Sequence, residues 1–154
     1  MQNRKGQAAM EFLMTYGWAI LAAIIVIGVL AYFGVFRPGQ FVPEATVVNP
    51  PFYANAWSVT NSPAQAQVEV QNNGGETLTV NAVAIAVTDG ATSCTTDTTA
   101  KVITAGKLAS ANLACTGMEA AGEMFKGDIT ITYIKSGSGL NLTSSGTITA
   151  TISP

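Results

Sequence analysis

From position 12 to position 36 the chain runs for 25 residues without one charged side chain. As a helix rising about 1.5 Å per residue, this run is roughly 37 Å long, enough to cross a hydrocarbon core of about 30 Å with some tilt. Its end is written in Gly34, Pro38 and Gly39, because a proline cannot continue the intrahelical hydrogen-bond ladder. Aromatic residues cluster at both ends of the run, as they do at membrane interfaces: Phe12, Tyr16 and Trp18 at one, Tyr32, Phe33 and Phe36 at the other. Arg4 and Lys5 favour a cytoplasmic N-terminus and an external remainder, and Arg37 on the far side opposes this with a single charge.

The rest of the composition removes most chemistry. Histidine is absent from the 154 residues, which excludes an imidazole base, a His-ligated metal and a near-neutral proton shuttle. Two cysteines cannot close a Cys₄ zinc site. Seven scattered Lys and Arg against nine acidic residues give a formal charge of −2, too little positive charge to track a phosphate backbone, so no nucleic-acid binding is expected. Gly137-Ser138-Gly139 lacks the remainder of any phosphate-binding loop, and Asp89, Asp97 and Asp128 have no calcium-loop spacing. Glu119 and Glu123 read as a solvated turn rather than a catalytic carboxylate pair. The expectation is a structural protein, not an enzyme, with no cofactor and no metal.

From Gln40 onward the texture changes to Thr, Ser, Ala, Gly and Val in short alternating segments. The pattern predicts a hairpin of residues 66–72 against 77–87 around Asn72-Asn73-Gly74-Gly75, and a second of 128–134 against 146–153 around Ser136-Gly137-Ser138-Gly139. Weaker strands are expected at 45–48, 101–104 and 108–113, and the Thr-rich stretch 92–99 reads as a loop. Roughly seven strands at this spacing predict a small immunoglobulin-like sandwich, so the chain as a whole is expected to be α+β, a long N-terminal hydrophobic helix followed by an all-β head. Phe52, Tyr53 and Trp57 either fill the sandwich and cover its neck or form an adhesive patch.

Cys94 and Cys115, with 20 residues between them, form a disulfide if this side faces an oxidising space, worth about 3 kcal/mol in the chain-entropy model. The other reading is two buried free thiols. Asn141-Leu142-Thr143 is an N-glycosylation sequon, which fits an external loop.

One charge is oddly placed: Glu11 directly precedes the charge-free run, five residues after Gly6 in Lys5-Gly6-Gln7-Ala8-Ala9-Met10-Glu11-Phe12-Leu13. A secretory signal has an apolar stretch of only about 7–15 residues followed by a small-residue cleavage site. Here the stretch is longer and the small residue comes first, an order that fits cleavage between Gly6 and Gln7 with the apolar helix retained. The constellation resembles the archaeal type IV pilins with class III signal peptides, in Lys5-Gly6-Gln7, in Glu11 and in Phe12-Leu13-Met14-Thr15-Tyr16-Gly17-Trp18-Ala19. It departs from the methanogen form of the motif at Ala9, where serine is usual.

The resemblance implies a division into a leader (1–6), a membrane and filament-core helix (7–37) and a β-sandwich head (38–154). It implies a prepilin peptidase acting between Gly6 and Gln7, subunit docking assisted by Gln7 and Glu11, and an assembly ATPase and membrane platform protein as partners. The precursor is then expected in the cell membrane and the product as an extracellular helical homopolymer on the cell surface. Physical chemistry supports the docking role: cleavage exposes an α-amino group on Gln7, and a carboxylate entering an apolar bundle needs such a partner. An N-terminal glutamine that cyclises would lose that amine. Loss of Arg4 and Lys5 also leaves five basic against nine acidic side chains, a formal charge of −4. Three alternatives stand beside this expectation: a non-polymerising single-span membrane-anchored binding module, a minor, adhesive tip pilin, and an archaellin of a motility filament, whose helix usually reads differently from Met14-Thr15-Tyr16-Gly17-Trp18.

Overall fold

The computed structural model describes residues 3–36, 43–88 and 90–154, so Arg37, Pro38, Gly39, Phe41 and Asp89 lie outside the described residues. The chain divides into two units, 1–41 and 42–154. The first is a single helix, α1 (Asn3–Tyr32), of which Gly6–Tyr32 is long and apolar enough to cross a membrane, with a mean hydropathy of 2.3 over its most apolar window. The expected cleavage position between Gly6 and Gln7 lies inside α1, which runs from Asn3 through it and ends at Tyr32. Ala8, Ala9 and Met10 are strong helix formers on its mature side. The stop is a Schellman motif: Gly34 takes φ 71°, its amide donates to Ala31 O at 3.1 Å, and the Val35 amide donates to Leu30 O at 3.1 Å.

The second unit is a β-sandwich of nine strands: β1 (Ala45–Val48), β2 (Phe52–Asn61), β3 (Ala64–Asn72), β4 (Leu78–Val87), β5 (Ser93–Cys94), β6 (Lys101–Ile103), β7 (Leu108–Thr116), β8 (Met124–Lys135) and β9 (Leu142–Thr151). One sheet has the order β1-β9-β8-β4-β6 and the other β2-β3-β7-β5, with every ladder antiparallel. Alternate residues of both sheets, among them Val59, Val68, Leu78, Ile103, Leu113, Phe125, Ile129, Ile131 and Ile148, meet in one core. Phe52 lies edge-on against Tyr133, with ring centroids 5.1 Å apart.

The α+β class with a β-sandwich head is the architecture the sequence predicted; the strand pairing differs in one place. β8 and β9 form the expected second hairpin, but β3 and β4 do not pair. β3 lies between β2 and β7, whereas β4 lies between β8 and β6 in the opposite sheet. Alternation marks each strand as buried on one face and is silent about the layer it joins. The Asn-Gly-rich segment is a crossover pinned by Asn72, which is fully buried. Its Nδ2 donates to Glu76 O and Ile103 O, both at 2.8 Å, and its Oδ1 accepts from the Gly74 amide at 2.9 Å.

Two strands lay outside the sequence reading. β2 carries a bulge between Ala54 and Ala56, so Phe52 and Ala54 point inward before it and Trp57 and Val59 after it. β5 is only two residues long and sits in the Thr-rich stretch read as a loop. The sandwich is also closed along both sides. Ser153 pairs with β2 through Ser153 N to Val59 O and Asn61 N to Ser153 O, both 2.9 Å, and Asp97 pairs with Val83 of β4.

Candidate functional site

The N-terminal constellation lies on one continuous helix. Gly6, Gln7 and Glu11 are all exposed on α1. Glu11 lies four positions after Gln7, which places them on the same helix face one turn apart, an axial rise of about 6 Å. The Glu11 carbonyl accepts the Thr15 hydroxyl at 2.8 Å, so the hydroxyl nearest the apolar run is satisfied within the helix. Phe12 and Tyr16 stack beyond it with ring centroids 4.7 Å apart.

Past Trp18 the helix changes character. Residues 19–31 carry no polar side chain, and Ile24, Ile25, Val26 and Ile27, successive at about 100° around the axis, are each more than half exposed. No face of α1 is polar over this stretch, and a lone helix has nothing of its own to bury against. Eight Ile, Leu and Val side chains between positions 20 and 30 are exposed. At about 2 kcal/mol for each one taken out of water, the total is on the order of 15 kcal/mol, as large as the whole stability of an ordinary domain. Ala19 and Ala23, and further on Gly28 and Ala31, leave room for a second helix to approach.

In the head, Cys94 and Cys115 face each other across the β5–β7 ladder and form a disulfide, with Cα atoms 4.0 Å apart. It ties the two-residue edge strand to the body of its sheet. Asn141 is exposed at the start of β9, and Asn81 Nδ2 donates to its Oδ1 at 3.2 Å. The three aromatics split between surfaces. Phe52 is in the core, Trp57 is half-buried against it, and Tyr53 is exposed on the other face of β2. They therefore form no single patch, because neighbours on a strand point to opposite faces.

The sequence reading set Asp97 aside as one of several scattered acids. The structure makes it a polar staple between the sheets. Its carboxylate accepts from Lys101 Nζ at 2.5 Å, from the Thr99 amide at 3.0 Å and from the Asn112 amide of β7 at 3.4 Å. Burial pushes the Asp97 carboxyl up, but the Lys101 ammonium and the Thr99 hydrogen bonds outweigh it and hold the group down at about 2. The local signal was Asp97-Thr98-Thr99, whose acidic side chain bonds the backbone two residues on. Just before β1, Glu44 Oε1 accepts the Thr151 amide at 3.1 Å, and hydrogen bonding from Thr151 lowers the Glu44 carboxyl below its ordinary value.

Among the described residues no three His, Cys, Asp or Glu side chains gather to hold a metal ion. The functional geometry is thus divided between a helix apolar on every side and a self-contained sandwich. Against known proteins, no family model matches this chain and no curated protein matches it.

Proposed function

We propose that this chain is the precursor of a subunit of an archaeal type IV pilus-like surface filament, stored in the membrane, cleaved between Gly6 and Gln7, and polymerised through α1. The observation that carries the reading is the all-round apolar surface of residues 19–31, joined at its start to Gln7 and Glu11 on one helix face. Such a helix is stable in lipid or enclosed by other apolar helices, and one segment serves both states.

Cleavage at Gly6–Gln7 removes Arg4 and Lys5, the charges that hold the N-terminus at the cytoplasmic surface. It leaves an amine four residues before Glu11. A carboxylate carried into a bundle of apolar helices needs a compensating charge, and the Gln7 amine of a neighbouring subunit supplies one. Copies related by a rotation that does not close generate a helical filament with α1 at its core. The reading carries with it a prepilin peptidase, an assembly ATPase and a membrane platform protein, with the heads outside the cell.

The experiment is mass spectrometry of the N-terminal peptide from sheared extracellular material and from membranes of the same cells. The proposal expects an extracellular form starting at Gln7, free or cyclised, that still contains residues 12–36. Persistence of residues 1–6 in a protein confined to membranes would replace it with a permanently anchored module. A start near Gly39 would reduce the apolar segment to a cleaved export signal.

A further inference from the structure

In all of β2, β3, β7 and β5, the strands of the four-stranded sheet, there is a single charged side chain, Glu69. The inward positions of β3 are Ala66, Val68 and Val70, so its outward positions are Gln65, Gln67, Glu69 and Gln71. The strand registers set short side chains beside the long ones. Ala56 and Ser110 flank Glu69 on either side, and Ser58 lies beside Gln67. Together they line a hollow of about 190 Å³ on the outer face of the sheet.

The hydrogen-bonding groups around this hollow are oriented and open. The bulge in β2 inserts Asn55 next to Ala56, and Asn55 Nδ2 donates to Glu69 Oε1. That bond orients the carboxylate and leaves Oε2 without a partner among the described residues. The Gln67 carboxamide and the hydroxyls of Ser58 and Ser110 likewise have none among the described residues. A carboxylate only accepts, whereas a carboxamide and a hydroxyl both donate and accept. The ligand that matches this set carries several groups that donate and accept alike, as sugar hydroxyls do. A phosphate, sulfate or carboxylate would meet no cation, because the four strands contain no Lys or Arg. The hollow is smaller than the roughly 300 Å³ at which a drug-sized ligand is enclosed, and suits one sugar ring at a time.

A second contact lies one step along the same face. Gln71, two positions and about 7 Å along β3 from Glu69, pairs with Tyr53, which is 58% exposed. Gln71 Nε2 donates to Gly106 O at 3.0 Å, which fixes the carboxamide beside the ring and leaves its oxygen open. An exposed aromatic with a polar tip, next to a polar hollow, offers an apolar surface to the C–H face of a neighbouring sugar.

We propose that the outer face of β2, β3 and β7 is a binding site for a neutral, hydroxyl-rich oligosaccharide. One sugar seats in the hollow, donates to Glu69 Oε2 and exchanges hydrogen bonds with Gln67, Ser58 and Ser110, while the next lies against Tyr53. The site belongs to the head and rests on neither cleavage nor polymerisation, so its failure and the failure of the filament reading are separate outcomes.

The test is a glycan array probed with the full-length protein in a detergent that has no sugar headgroup, followed by calorimetric titration of the best-retained oligosaccharide. Neutral glycans are expected to be retained, and sialylated or sulfated forms of the same backbones retained less. Glu69→Gln weakens binding about tenfold and Gln67→Ala by about three- to tenfold. Tyr53→Ala weakens the oligosaccharide but not its single terminal sugar. Gln67 has no side-chain partner in the fold, so Gln67→Ala keeps the wild-type Tm and separates lost binding from lost folding. Asp128→Asn, on the outer face of the other sheet, leaves binding unchanged. Failure to retain any neutral glycan, a preference for the anionic forms, or an affinity that Gln67→Ala and Glu69→Gln leave unchanged overturns the proposal. Tighter binding of an uncharged, Ser- and Gln-rich peptide than of any glycan overturns it in favour of a peptide site.

Discussion

The two units of this chain solve the problem of apolar surface in opposite ways. The head places most of its large aliphatic side chains between two sheets, and the fully buried Asn72 has hydrogen-bond partners on both ends of its carboxamide. The helix satisfies its backbone internally and leaves its side chains exposed on every side. A sandwich of this kind is complete as a folded object. The helix is complete only when lipid or other helices surround it, so the head holds itself together while α1 depends on its surroundings.

The sharpest way to break the comparison is to separate the units. Residues 42–154 alone are expected to be soluble and to melt as they do in the whole chain, while the full chain requires detergent; sedimentation with and without detergent checks this. A head that aggregates or fails to fold would mean that the sandwich depends on α1. Next in size is Phe125→Ala, which empties a fully buried ring site and is expected to cost the head about 3–5 kcal/mol in a denaturant titration, with the helicity of α1 unchanged. Replacing both Cys94 and Cys115 with serine is expected to cost about 3 kcal/mol, a fall in Tm of roughly 10–20 °C for a domain of this size, again without effect on the helix.

The smallest effect is electrostatic. The folded Asp97 carboxyl titrates at about 2, below its ordinary value of 3.8, so its contribution is complete above about pH 4 and is lost as pH falls through 2. Asp97→Asn is expected to cost on the order of 1–2 kcal/mol at neutral pH and to flatten the acid limb of the stability curve. An unchanged acid limb in Asp97→Asn would remove the staple from the account.

How far each unit could be read from sequence follows from the same contrast. The helix was legible because its signal is local: an unbroken apolar run, an early carboxylate and a terminating Gly34. The expected division between residues 6 and 7 is a cleavage position, and α1 runs through it without a break. In the head, the inward positions of β3, β4, β8 and β9 were visible in their alternation, but the assignment of strands to sheets was not. Ala66, Val68 and Val70 face the same core as Leu78 and Val80 from opposite sides, and the period of two is identical for both layers. β2 was hidden because its bulge shifts the alternation between Ala54 and Trp57. Asp97 was hidden for a related reason, since its value lies in reaching β7, and no local spacing announces a contact with Asn112.

The central claim, that α1 leaves the bilayer and becomes enclosed by copies of itself, is tested most directly by a single thiol in the apolar stretch. The chain's own cysteines are joined to each other, so Ile25→Cys introduces the one free thiol. Sheared extracellular material, freed of lipid, would be treated with a polar maleimide before and after dissociation in detergent. The account predicts full-length α1 in that material, no labelling of the intact particles and complete labelling once they are dissociated. Labelling of intact particles, or recovery of the protein only with membranes, would contradict it.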